Sequence, residues 1–173
     1  MFDWCETYNS ICNAPLISVS EDELDPQHPS LEFLTYWRSL NGGVTPKRSS
    51  FSPQRIPSLL KWLMMFRREM SSDEDLYLLY IQGNSAAELT GGLLQGTYLH
   101  DFTDVGCFDT RRAVLRSVLE SGKPAFANVV VGEKSADFTT TISVGAFPFA
   151  CEDGQAEVVM VPAPQSPKLR VYL

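Results

Sequence analysis

Between Leu76 and Pro162 the chain lays out its elements in an order that few folds accommodate. Leu76-Tyr77-Leu78-Leu79-Tyr80-Ile81 is rich in strand formers and closes at Gly83. Ser85-Ala86-Ala87-Glu88 follows as a capping box: the serine oxygen accepts from the N–H of residue 88 and the glutamate reaches back to residue 85. Gly91-Gly92 ends that helix early. A longer helix is predicted from Asp109 to Ser121, with Phe108, Arg112, Leu115 and Leu119 along one stripe. Gly122 caps it and Pro124 forbids its continuation. Three strand-like runs come next. Ala125 to Val131 alternates, and Phe138 to Ala146 alternates after a turn at Gly132–Ala136. Ala156 to Val161 follows the hairpin turn Asp153-Gly154. In the middle run the apolar set switches to Phe147 and Phe149 beside Gly145 and Pro148, which predicts a bulge or bend. Strand, short helix, longer helix and three consecutive strands predict an α+β fold, with helices over one face of an antiparallel sheet.

Upstream, Pro29 to Leu40 is predicted to be a helix. Leu31, Leu34 and Trp37 recur at helical spacing beside Phe33, and Asn41-Gly42-Gly43 ends the run. Its broad aromatic stripe has two readings, packing on its own domain or on a second copy of the chain. Residues 44–55 read as a loop. A short helix is expected from Pro53 to about Leu60, then a strand from about Lys61 to Arg68. Ser71-Ser72-Asp73-Glu74 suits a hairpin turn. Residues 1–28, with the acidic run Glu21 to Asp25, read as a loosely ordered arm. The domain proper is expected over 29–162, and 163–173 as an extended tail.

The 173 residues suit one domain with terminal additions, and an apolar share of 44% is enough for a core. A formal charge of −7 and a pI near 4.8 argue against phosphate backbones and anionic membrane surfaces as partners. No apolar run approaches the roughly 20 residues of a membrane span. The opening MFDWCETYNS lacks the layout of an export signal, so a cytoplasmic location is expected. Cys5, Cys12, Cys107 and Cys151 are scattered without C-x-x-C spacing, and His28 and His100 are the two histidines. Neither a zinc site nor a disulfide framework is expected, and His28 is read as a solvated helix-start residue.

The run Tyr36-Trp37-Arg38-Ser39-Leu40-Asn41-Gly42-Gly43, the P-x-R at Pro46–Arg48, and SPQRIPSLL over 52–60 resemble the opening of a PAS domain family known mostly from alphaproteobacteria. LYIQGNSAAELTGGLLQGTYLHDF, over 79–102, is similar to the strand, helix and small-loop segment of the same family. The family often carries a polar residue where this chain has Gly92. The likeness covers about residues 30–162. It implies a PAS-like five-stranded antiparallel sheet with helices over one face and an extra N-terminal helix. It also implies a non-catalytic sensor or protein-interaction module in bacterial signalling that acts on a partner protein in trans. Members often form homodimers through the N-terminal helix, which here nominates Phe33, Leu34 and Trp37.

A pocket between sheet and helices is expected to take a small apolar ligand, lined by Leu79, Ile81, Leu89, Leu93, Leu115 and Phe126. No cofactor is expected. Cys107 does not sit in a flavin-photosensor motif, and His100, in a loop before the long helix, is a weak haem ligand. His100-Asp101 lacks a nucleophile tied to it, so no catalytic residue is assigned. Arg111, Arg112 and Arg116 are read as a solvated helix face. The alternative is a small α+β enzyme or carrier with a cone-shaped pocket. It would need polar residues aimed inward, whereas Thr139, Thr141 and Ser143 read as the wet side of the sheet.

Overall fold

The computed structural model describes residues 11–12, 14–132 and 139–173. Seven strands form one antiparallel sheet: β1 (Leu16–Val19), β2 (Met64–Ser71), β3 (Glu74–Gln82), β4 (Thr97–Tyr98), β5 (Ala125–Gly132), β6 (Thr139–Ala150) and β7 (Ala156–Pro164). Their order is β1-β5-β6-β7-β2-β3-β4. The helices are α1 (Pro29–Asn41), α2 (Asn84–Leu89), α3 (Val105–Ser121) and α4 (Pro167–Arg170). The α+β class stands, but the sheet has seven strands rather than five. The two additions are the short edges β1 and β4, which dock on the meander and on the β2–β3 hairpin.

That hairpin turns at Ser72 and Asp73, with φ of 47° and 70°. Both residues sit in the left-handed region, as the two-residue turn matching strand twist requires. The segment before β2 is a pair of 3-10 turns, Pro53–Arg55 and Pro57–Trp62, in place of the expected short helix. Each begins with proline, whose missing N–H suits a first turn, and the ring of Pro57 keeps the first turn from running on into the second. Gly42 and Gly122 cap α1 and α3 in the left-handed conformation, at φ 60° and 67°.

Helices cover both faces of the sheet, not one. On one face α1 lays Phe33 against Phe147, ring centroids 4.7 Å apart, and Trp37 donates its indole N–H to the Pro148 carbonyl at 2.9 Å. On the other, Leu115 and Val118 of α3 pack with Ala146, Phe66 and Val158. Ala146 and Phe147 are neighbours along β6, so their side chains point to opposite faces. Double coverage explains the switch of apolar set in β6. No bend is needed: β6 pairs without a break from Ile142↔Pro164 to Ala150↔Ala156. The slip in register lies between Met65 and Phe66 of β2, opposite Ile81 and Leu79, leaving Tyr80 as the extra residue of β3. Ser143, assigned above to a wet face, is fully buried, its hydroxyl lying 2.7 Å from the Asn128 side-chain oxygen and 2.8 Å from that of Gln165, with one proton to donate between them.

The start of α1 is bolted to the sheet by polar contacts. His28 is wholly buried: its Nδ1 accepts from the Ser30 N–H at 3.1 Å, and Nε2 lies 3.0 Å from the Ala163 carbonyl. It is therefore the N-cap of α1 and no solvated residue. The Ser30 hydroxyl bridges β6 and β7, donating to Val161 at 2.6 Å and accepting from the Gly145 N–H at 2.9 Å. A Cβ at Gly145 would lie 2.7 Å from the Phe147 ring and 3.0 Å from the Ser30 Cβ, so glycine lets α1 come this close.

Three further expectations change. Residues 16–19 pair with β5 from Leu16↔Val129 to Val19↔Phe126, and Ala14 and Leu24 are buried, so this part of 1–28 is built into the domain. Residues 1–10 and the turn at Gly132–Ala136, beyond Gly132 itself, lie outside the described residues. The tail is not extended. β7 runs to Pro164, α4 follows, Arg170 pairs with Asp25 at 2.8 Å, and Ser85 donates to the Leu173 carbonyl at 2.5 Å. Ser85 thus lies inside α2, whose N-cap is Gly83, and it does not form the expected capping box. No helix among the described residues is long and apolar enough to cross a membrane.

Candidate functional site

α3 does not close fully onto the sheet. A cavity of about 60 Å³ lies between them. Its floor comes from residues whose register puts them on one face: Met64 with Met160, and Val144 with Pro162, joined by Phe66 and Val129. Val114 and Leu115 of α3 form the roof, Leu99, Phe102 and Thr103 one wall, and Ile11, Cys12 and Leu16 another. The lining is overwhelmingly apolar.

One charged side chain borders it, Arg111 of α3. The residue is 8% exposed. Its Nη2 donates to the carbonyls of Ile11 and Ala14, both at 2.7 Å, while its buried Nη1 has no partner among the described residues. Burial pulls the Arg111 pKa down, with the neighbouring Cys107 and Cys12 opposing that shift. Arginine nevertheless keeps its charge, because its ordinary value is so high. The expected solvated arginine face therefore divides. Arg116 also turns to protein, holding Asp75 through both Nη2 and Nε, the latter at 3.1 Å. Arg112 reaches Asp109 at 3.0 Å. The sequence did hold a signal for Arg111. Phe108, Arg111, Leu115 and Val118 fall at i, i+3, i+7 and i+10, so the arginine occupies a position in the apolar stripe.

Of the six pocket residues nominated from sequence, Leu115 lines the cavity. Leu79 and Leu89 are fully buried in the packed core. Ile81 is 40% exposed: the bulge at Tyr80 puts it opposite Met65, on the face away from Leu79. Leu93, in the loop after α2, is 74% exposed. Phe126 stacks edge-on against Phe147 at 5.9 Å, on the α1 face. Phe33, Leu34 and Trp37, nominated for a dimer, are all buried within their own chain. Their stripe serves the intramolecular reading.

A second polar cluster lies on the α1 face. The nearly buried Glu157 is met by Arg48 at 2.8 Å, Arg67 at 3.4 Å and the Tyr80 hydroxyl. Burial, then the Glu157 hydrogen bond, raises the Tyr80 pKa to about 12. Burial and the same carboxylate push the Cys151 thiol up to about 11, so it stays protonated at neutral pH and is a poor nucleophile. Glu157 has its charge met on two sides, which is the arrangement of a structural network rather than of a poised acid or base.

His100 stacks on Tyr98, ring centroids 5.5 Å apart, with its side chain 40% exposed. Leu99 and Phe102 reach the cavity but His100 does not line it, so it is not placed as an axial ligand there. Among the described residues no three His, Cys, Asp or Glu side chains gather as metal ligands. No protein-family model matches the chain, and no curated protein matches it.

Proposed function

We propose that this chain is a non-catalytic PAS-type sensor or protein-interaction module of bacterial cytoplasmic signalling, binding a small ligand between sheet and helices and acting on a partner protein in trans. The observation that carries the reading is the apolar cavity between α3 and the sheet face formed by β2, β5, β6 and β7. The antiparallel meander β5-β6-β7 closing onto the β2–β3 hairpin supports the PAS resemblance. The runner-up enzyme or carrier reading gains less. The described lining holds no carboxylate or histidine to move a proton. A homodimer remains part of the proposal, through a surface other than Phe33, Leu34 and Trp37; light scattering at micromolar concentration would read it.

Xenon tests the cavity itself. In methyl-resolved NMR, xenon pressure should shift Leu115, Val129, Val144 and Met160 selectively and leave Val159 and Val161, on the opposite face, in place. A sensor must also respond, so xenon should slow amide exchange in α3. Weak shifts spread over the surface, with no change in α3, would sink the reading.

A further inference from the structure

We propose that three arginines stacked with aromatic rings beside α1 form a docking surface for a short acidic segment of a partner protein, its carboxylates taken by Arg48, Arg55 and Arg67. The inference rests on the reading that this module acts on a protein in trans, and it names the chemistry of that partner.

The charge of the chain is divided unevenly along its length. Residues 33–68 hold seven of the 14 Lys and Arg and none of the 21 Asp and Glu. The fold gathers three of those cations into a continuous stripe. The Arg67 guanidinium lies over the Tyr80 ring, 4.6 Å from its centroid. Arg48 Nε is 3.3 Å from the Tyr80 hydroxyl, and the Arg48 guanidinium lies 4.8 Å from the Phe51 ring. Phe51 meets Tyr36 edge-on at 6.0 Å, and Arg55 lies over Tyr36 at 5.3 Å. Arginines and rings thus interleave from β2 to the turn Pro53–Arg55. Glu157 accepts from Arg48 and Arg67, so one carboxylate stands against two of the guanidinium groups and the stripe keeps a positive charge.

The arginines stay open to solvent. The Arg48 and Arg67 side chains are 28% and 39% exposed, and Arg55 is an exposed residue. Ring stacking and the Glu157 bonds hold them in place, so an incoming carboxylate meets forks that are already set. Arginine and aromatic side chains are also the residues that dominate interface hot spots. Apolar surface adjoins the stripe: Leu78 pairs across from Arg67, and the partly exposed Ile81 across from Met65 on the same face. An acidic segment with apolar residues interspersed matches both features. Its length is limited. Glu69 lies two residues beyond Arg67 on the same face of β2, and Glu32 accepts from Ser58, three residues beyond Arg55. Nucleic acids and anionic bilayers extend past such a stripe onto the surface of a chain whose net charge is −7, so a short peptide is the better match.

A capped glutamate-rich peptide with leucine at its centre, and the same peptide with glutamine for glutamate, make the test, since they share a shape and differ in charge. Titrated into the full chain, the acidic peptide should shift the Nε–H NMR signals of Arg48, Arg55 and Arg67 saturably, and the glutamine peptide should bind at least about tenfold more weakly. Arg55→Gln and Arg67→Gln, at surface positions, should fold as the parent does and each weaken binding about threefold or more. Lys123→Gln removes the same charge just past the end of α3 and should leave binding unchanged. Equal binding of the two peptides, or equal losses in Lys123→Gln and Arg55→Gln, would overturn the assignment, the second by showing that only overall charge matters. A thymidine oligonucleotide or a phosphatidylserine vesicle that binds more tightly than the peptide, and weakens in the same variants, would overturn it in favour of a nucleic acid or a membrane. Self-association in light scattering that Arg55→Gln abolishes, with no peptide bound, would give the stripe to a second copy instead. If xenon enters the cavity and α3 responds while the peptide does not bind, the inference fails alone; if the peptide binds and xenon does not enter, the docking surface stands and the ligand-sensing reading falls.

Discussion

His28 spends both ring nitrogens inside the protein, and burial lowers its pKa from 6.5 to about 4. The unfolded chain therefore takes up a proton that the folded chain refuses. Stability is complete above pH 6.5 and declines as the pH falls towards 4, by an amount on the order of 2–3 kcal/mol. Asp75 acts lower on the scale. The Arg116 hydrogen bond, helped by the Tyr77 hydroxyl at 2.7 Å and opposed by burial, holds its carboxyl down at about 2. Its contribution is present above pH 4 and is lost between about 4 and 2, on the order of 1–2 kcal/mol. Urea unfolding across pH 7 to 2 should show two successive losses. His28→Asn, which keeps an N-cap oxygen, should flatten the upper one and leave the lower. Asp75→Asn should do the reverse. A single smooth decline untouched by either change would refute both assignments.

Among the elements, the β2–β3 hairpin carries a removable cost. Ser72 and Asp73 occupy the left-handed region without being glycine or asparagine. Replacing them by Asn-Gly should stabilise the chain by about 0.5–1 kcal/mol, read as a higher denaturation midpoint with an unchanged slope. The turn itself was legible in the sequence, because Ser71 to Glu74 is a short polar run between two strand-forming stretches. So was the body of α3, for Gly122 and Pro124 fix where it must stop. The bulge at Tyr80 was not legible. Leu76 to Ile81 looks like one uninterrupted strand, and only its pairing with Met65 and Phe66 shows the extra residue. That one residue moved Ile81 out of the expected pocket. β1 was missed for a different reason: four residues on a sheet edge show no period, and their order comes from β5, more than a hundred positions away.

For the molecule as a whole, the decisive fact is that α1 belongs to the core. Phe33 and Trp37 are sealed against β6 by packing and by the Trp37 bond to Pro148. Trp37→Ala should cost about 3–5 kcal/mol, and the loss should not vary with protein concentration. A loss that shrinks as concentration rises would return the residue to an interface between copies. Sequence alone left these two readings of the aromatic stripe equal, since periodicity shows that a face is apolar and not what covers it. The same limit hid the cavity: Met64, Phe66, Val144 and Met160 come from three strands, and no spacing along the chain announces that they meet.

Arg111 grips the carbonyls of Ile11 and Ala14 with one nitrogen, and the same residue borders the hollow under α3. The guanidinium is planar and rigid, so its two ends cannot turn separately. Whatever turns that side chain must drag on the carbonyls just ahead of β1, making an edge strand of the sheet a lever on the void beneath α3.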